Sequence, residues 1–313
     1  MNGGESPTSA GLPDGRKSLV VYGNCQADNI TGLLQEIEPI ASRYRVSHIS
    51  VQPGYIPPTP ASIEDIATCD VLLEQFEFNV NFPHAELLPP DAARIRFPST
   101  DLNLLWPLTL LTNPFNVTRS SLAPWGRFPY GDRVIVGMIE SGAASADILA
   151  YYLQRWDEYA PDMNKMMRLE RARLAFRDGK CDVQIADFIF DTFAKSRLFF
   201  TINHPSSSLL SELVARLWRN CDRFMSLCNE DTLWHELNRL AGKYPRGPRG
   251  SIAIPIHPRV AELLELQWYD PTERYEILGE APKSYEEYLL AMISDSIAVR
   301  KERAELSPAG EIA

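Results

Sequence analysis

No Cys-x-x-Cys pair occurs in this 313-residue chain, and its cysteines, Cys25, Cys69, Cys181, Cys221 and Cys228, are odd in number. That is a poor disulfide framework and a poor zinc site, and it predicts reduced thiols in a cytoplasm-like compartment. No apolar run approaches the roughly 18 residues of a membrane span. The opening MNGGESPTSAGLPDGRKS has no apolar core of the signal-peptide kind. It predicts a disordered lead-in over residues 1–17 and no export by that route. Positive charge is scarce: 31 Lys and Arg stand against 41 Asp and Glu, a net charge of −10. A general DNA or RNA binder needs a basic footprint, so nucleic acid is not the expected partner. GxGxxG, HExxH, GxSxG and the phosphate-binding GxxxxGK motif are all absent. His48, His84, His235 and His257 are scattered without ligand spacing, which predicts no metal centre.

What is present is ordinary globular material, 45% apolar and 23% charged, enough for a core without staples. One compact unit over residues 18–305 is expected, with a frayed tail over 306–313; two packed subdomains meeting near 110–130 fit equally. SLVVY at 18–22 is a buried-strand signal. From Gln26 to Ile37 the apolar residues Ile30, Leu33, Leu34 and Ile37 follow helical spacing. Further strands are predicted at 46–51, 71–73 and 95–97, with a loop at PGYIPPTPAS and a short helix from Ser62 to Ala67. This alternation predicts an α/β fold: a small parallel sheet with an N-terminal strand–turn–helix at GNCQ, and a large, mainly helical remainder. The helices are expected at 143–155, 163–177, 183–193, 207–224 and 284–303. A strand-like run at 198–202 leads into NHPSSS and another helix.

Cys25 lies between a strand and a helix. A thiol at a helix start meets free N–H groups and the positive end of the dipole, which favour thiolate and lower its pKa. The turn would expose it like the nucleophile of a strand-to-helix elbow; the competing reading is a packed core cysteine. His204 sits at the second strand–turn–helix unit, suited to act as general base or acid, or else to bond its own loop. Pro205, Ser206, Ser207 and Ser208 follow it, an end able to cap a helix or hold an anion. Asn24, Gln26 and Asn203 flank the two turns, as oxyanion or carbonyl ligands or simply as turn residues. In PSTDLNLLWP, Ser99, Thr100 and Asp101 suit substrate contact, and Trp106 suits cover of an apolar or adenine face. A helix cap followed by core residues is the simpler account. Lys165, Arg168, Arg171, Arg173, Arg177 and Lys180 form a local basic excess, and KYPRGPRGS at 243–251 a second one with Lys243, Arg246 and Arg249. Either could hold phosphates or be a solvated face.

Three segments in order, VVYGNCQ, FPSTDLNLLWP and FFTINHPSSSLL, resemble the WcbI-type polysaccharide biosynthesis acetyltransferases over roughly residues 18–225. The resemblance implies an α/β part with many helices, coenzyme A binding and acetylation of a sugar in bacterial surface or capsular polysaccharide. It directs attention to Cys25 and His204 as catalytic residues. Gly23, Ser206, Ser207, Lys165, Arg168 and Arg171 are candidate contacts for the cofactor. The expected partners are therefore an acyl donor, acetyl-CoA, and a carbohydrate acceptor. Two other readings remain open. One is an SGNH-type esterase, although Cys25 replaces its serine and the late DxxH pattern is missing, since Phe200, Thr201, Ile202 and Asn203 precede His204. The other is a non-catalytic coenzyme A or nucleotide-binding component of an assembly complex.

Overall fold

The computed structural model describes residues 15–51, 60–76, 82, 84–116 and 125–306. Along the chain come β1 (Lys17–Gly23), α1 (Cys25–Glu36), β2 (Tyr44–Ser50), α2 (Pro60–Ala67), β3 (Cys69–Phe76) and β4 (Ala93–Pro98). Then follow α3 (Arg133–Ser141), α4 (Ser145–Gln154), α5 (Met163–Asp178), β5 (Phe199–Thr201), β6 (His204–Pro205), α6 (Ser207–Arg219), α7 (Glu230–Lys243) and α8 (Tyr285–Leu306), with shorter helical turns between. No described helix is long and apolar enough to cross a membrane.

β1 to β4 form one parallel sheet in the order β2-β1-β3-β4. Right-handed crossovers from β1 out to β2, then back across to β3, put α1 and α2 on opposite faces. On one face Ile66 of α2 joins Val20, Tyr22, Ile49, Cys69 and Leu72 in a buried cluster. α1 covers β1 and β2; its Ile30, Leu33 and Leu34 are almost wholly buried. This is a doubly wound arrangement whose strand order reverses between β1 and β3. In such sheets the crevice outside the strand carboxyl ends at that reversal is where ligands bind. The expected α/β class with a small parallel sheet is what forms.

The chain divides into two compact units. Unit 1 comprises residues up to Asp101, Arg171–Phe193 and Arg197–Ser251. Within it, α6 and α7 pack together and against α1. Unit 2 comprises Leu102–Glu170, Ala194–Ser196 and the residues from Ile252 onward. There α8 packs on α3 and α4.

Several expected boundaries move. Lys17, assigned to the tail, already pairs in β1; residues 1–14 and 307–313 lie outside the described residues. α2 begins at Pro60, two residues before Ser62, and most of the preceding proline-rich segment is outside the description. The helix expected over 207–224 is two helices, because the chain leaves helical geometry at Cys221, with φ −131° and ψ 101°. The strand at 198–202 does not join the sheet; β5 pairs antiparallel with β6 in a separate two-stranded ribbon.

Candidate active site

The site grows from the end of β1. Gly23 has no room for a side chain: a Cβ there would lie 2.5 Å from Gln75 Oε1 and 2.6 Å from Ala27 Cβ. That close approach lets Gln75, near the end of β3, accept a hydrogen bond from Asn24 N at 2.9 Å. Asn24 is the N-cap of α1; its Oδ1 accepts from Gln26 N at 2.8 Å. Cys25 is the first helical residue and is half-buried. The strand reversal point therefore presents a thiol at a helix N-terminus.

His204 meets it from the β5–β6 ribbon. Cys25 Sγ and His204 Nε2 are 3.9 Å apart, within the range of a sulfur hydrogen bond. The other ring nitrogen, Nδ1, lies 2.6 Å from Thr201 Oγ1. Burial lowers the His204 pKa to about 4, so the imidazole is neutral at physiological pH. Thr201 is fully buried, and its hydroxyl donates to Asn203 Oδ1 at 3.3 Å.

Gln26 fastens the two turns together. Its side chain is buried. Nε2 donates to the carbonyls of Thr100 and Asn203. Oε1 accepts from Thr100 N at 2.9 Å, Thr100 Oγ1 at 3.2 Å and Gln75 Nε2 at 3.1 Å. With both amide hydrogens on carbonyls, Gln26 positions backbone and offers no donor to an oxyanion. Gln75 and Thr201 were not singled out in the sequence. The latter had a signal: it stands three residues before His204, where the DxxH pattern carries its aspartate.

Ser99, Thr100 and Asp101 form the wall behind Gln26. The Ser99 carbonyl accepts from Arg177 Nη1 at 3.3 Å, and the Asp101 carboxylate holds both Arg173 and Arg177. All three therefore make internal bonds, and the two arginines grip a carboxylate of the chain itself. Ser206 caps α6, with Oγ accepting from Leu209 N at 3.4 Å. Ser207 Oγ donates to the Tyr244 carbonyl and accepts from Gly247 N. Both serines are buried, so as cofactor contacts they are spent. Arg171 is exposed, its guanidinium 4.3 Å from the Phe190 ring centroid. Lys165 and Arg168 are exposed on the part of α5 that belongs to unit 2. Trp106, also in unit 2, is buried and donates from Nε1 to the Pro255 carbonyl at 2.9 Å, an interior role.

The 243–251 loop does reach the thiol helix. Arg249 N donates to Asn29 Oδ1 at 3.0 Å, and Arg249 Nε pairs with Asp28 at 3.0 Å. Gly247, at φ +85°, crowds Asn29, and Pro248 lies over Gly32. The Arg246 guanidinium is 5.4 Å from the Phe200 ring centroid, and that of Arg197 is 5.1 Å away. Among the described residues there is no group of three His, Cys, Asp or Glu side chains able to hold a metal.

A doubly wound α/β protein with a cysteine–histidine pair at its strand reversal is thus defined by fold and site. Its sequence matches the profile of the polysaccharide biosynthesis enzyme WcbI over residues 18–223, and the chain belongs to that family. A solved structure of WcbI, described as the native protein without a disulfide bond between coenzyme A and one of its cysteines, has the same fold. The TM-score is 0.66 at 17% identity, over 94% of this chain and 96% of that one. No curated protein matches the chain.

Proposed function

We propose that this polysaccharide biosynthesis enzyme is a coenzyme A-binding O-acyltransferase that moves an acetyl group to a sugar hydroxyl. The observation that carries the reading is the Cys25–His204 pair, 3.9 Å apart at the sheet's reversal point. Support comes from the family and from the coenzyme A named with the related structure. The residues fit an anionic donor: Arg249 and Arg246 lie on a loop held against the cysteine-bearing helix. Bound acetyl-CoA supplies a thioester carbon open to attack. His204, neutral at physiological pH, takes the proton of the attacking group, which is the sugar hydroxyl or Cys25 Sγ. The backbone N–H groups of the first turn of α1 are the candidate oxyanion donors. Soluble cytoplasmic action on a capsular or other surface polysaccharide precursor belongs to the same proposal.

Titration calorimetry with coenzyme A tests it, with adenosine 3′,5′-bisphosphate as control. Micromolar binding, about −8 kcal/mol, is expected for coenzyme A. Absence of heat with both compounds would remove the acyl-CoA reading and favour a thiol esterase. Transfer itself is tested with His204→Ala, which should abolish acetyl release from acetyl-CoA while circular dichroism stays unchanged; an unaltered turnover rules His204 out as base.

A further inference from the structure

The geometry points to Thr201 as the positioning residue of this site: its hydroxyl stands where histidine-dependent hydrolases place a carboxylate, and holds His204 as the Nδ1–H tautomer with the Nε2 lone pair facing Cys25 Sγ. A threonine hydroxyl has one proton to give. Here it is directed to Asn203 Oδ1 at 3.3 Å. The oxygen is then left to accept from His204 Nδ1, 2.6 Å away. The ring nitrogen opposite carries no hydrogen, and it is the one 3.9 Å from the thiol. The direction of every bond in the chain Asn203–Thr201–His204–Cys25 follows from that one proton.

The chemistry differs from that of a charged triad. An aspartate beside Nδ1 stabilises the imidazolium that forms when the base accepts a proton. Thr201 orients the ring equally well but carries no charge. In the transfer step the S–H or sugar O–H bond breaks and Nε2–H forms as the sulfur or oxygen bonds to the acyl carbon. The bond from that carbon to the leaving group breaks, and the leaving group takes the proton from Nε2, while Nδ1–H stays hydrogen-bonded to Thr201 Oγ1. At Nδ1 the positive charge meets a hydroxyl dipole in place of a carboxylate, so His204 is a weaker base than in a charged triad and returns its proton readily. This inference rests on Cys25 and His204 being the reacting pair, whatever the acyl donor is.

Nitrogen-15 NMR of the full-length protein labelled at histidine tests the tautomer directly. At pH 7, His204 should show a protonated Nδ1 and an unprotonated Nε2. Thr201→Ser keeps the hydroxyl and should keep that pattern. Thr201→Val, an apolar isostere at a fully buried position, should mix the tautomers. Thr201→Asp should raise the His204 pKa by at least about one unit, read in the same spectra, and speed alkylation of Cys25 by iodoacetamide at pH 6 about tenfold or more, read on the Cys25 peptide. A protonated Nε2 in the wild type, or an unchanged tautomer in a folded Thr201→Val protein, overturns the inference. Should acetyl-CoA prove not to be the donor, these spectra are unaffected, so the two failures are told apart.

Discussion

Gln26 shows how a single side chain can set a site without touching a substrate. Its five hydrogen bonds reach Thr100, Asn203 and Gln75, and so join three segments that are distant in sequence. Gln26→Leu keeps the volume and strands two carbonyls, an amide N–H and a second buried glutamine. Each unsatisfied buried group costs about 1–3 kcal/mol, so the variant should lose at least about 4 kcal/mol of unfolding free energy in a urea titration. It should also lose the fixed Cys25–His204 distance, read as a doubled His204 imidazole signal. A loss within 0.5 kcal/mol, a figure usual for surface changes, would mean water replaces the amide and that Gln26 is dispensable. Gly23 makes the complementary point. Its hydrogen faces Gln75 and Ala27 at distances no Cβ tolerates, so a one-carbon change there pushes the cysteine turn off β3.

At the scale of elements, the sequence disclosed what local pattern controls. β1 and α1 follow from a β-branched run and a helical apolar stripe, and Cys25 and His204 were legible because each sits in a polar turn between such signals. What stayed hidden depends on contacts between distant segments. α3 was not anticipated: Val134, Ile135 and Val136 are β-branched residues of low helix propensity, and the helix is capped by Asp132, whose carboxylate accepts from Val134 N and Ile135 N. α7 escaped as well, although Asn229 caps it and Leu233, Leu237 and Leu240 are buried at helical spacing. The basic excess on α5 suited either phosphates or a solvated face, and neither describes Arg173 and Arg177, which hold Asp101; a charge pattern does not say which carboxylate will fold onto it. The loop at 243–251 carries a prediction of its own. Arg249 pairs with Asp28 as a partly exposed ion pair, worth less than about 1 kcal/mol to stability. Arg249→Ala should therefore leave the urea midpoint almost unmoved and weaken coenzyme A binding about fivefold or more by calorimetry. Equal affinity in the variant would free this loop from any part in holding the donor.

Across the whole molecule, buried titratable groups give the two units different responses to acid. In unit 1, His204 has its pKa lowered from 6.5 to about 4 by burial, and burial lowers that of His48 too. The folded state then binds fewer protons than the unfolded chain. Their stability contribution is complete above pH 6.5 and is lost as pH falls toward 4, by up to about 3 kcal/mol for His204. Asp178, raised by burial, opposes them at the acid end. Unit 2 holds His257, also lowered to about 4 by burial, but with it Asp132, raised by burial to about 6 while accepting from the Tyr152 hydroxyl at 2.7 Å. A carboxyl raised in the folded state favours folding at the lower pH, so Asp132 offsets His257 across the same window. Hydrogen exchange at pH 7 and 4.5, corrected for intrinsic rates, should show β1 and α1 losing about 2 kcal/mol of protection while α3 and α4 change little. Uniform loss in both units would mean that acid acts through total charge and not through these buried groups. Asp132→Asn, which retains a capping side chain but cannot be ionised, should make unit 2 as acid-sensitive as His257 alone dictates; an unchanged acid response of α3 and α4 in that variant would place the offset on a different residue.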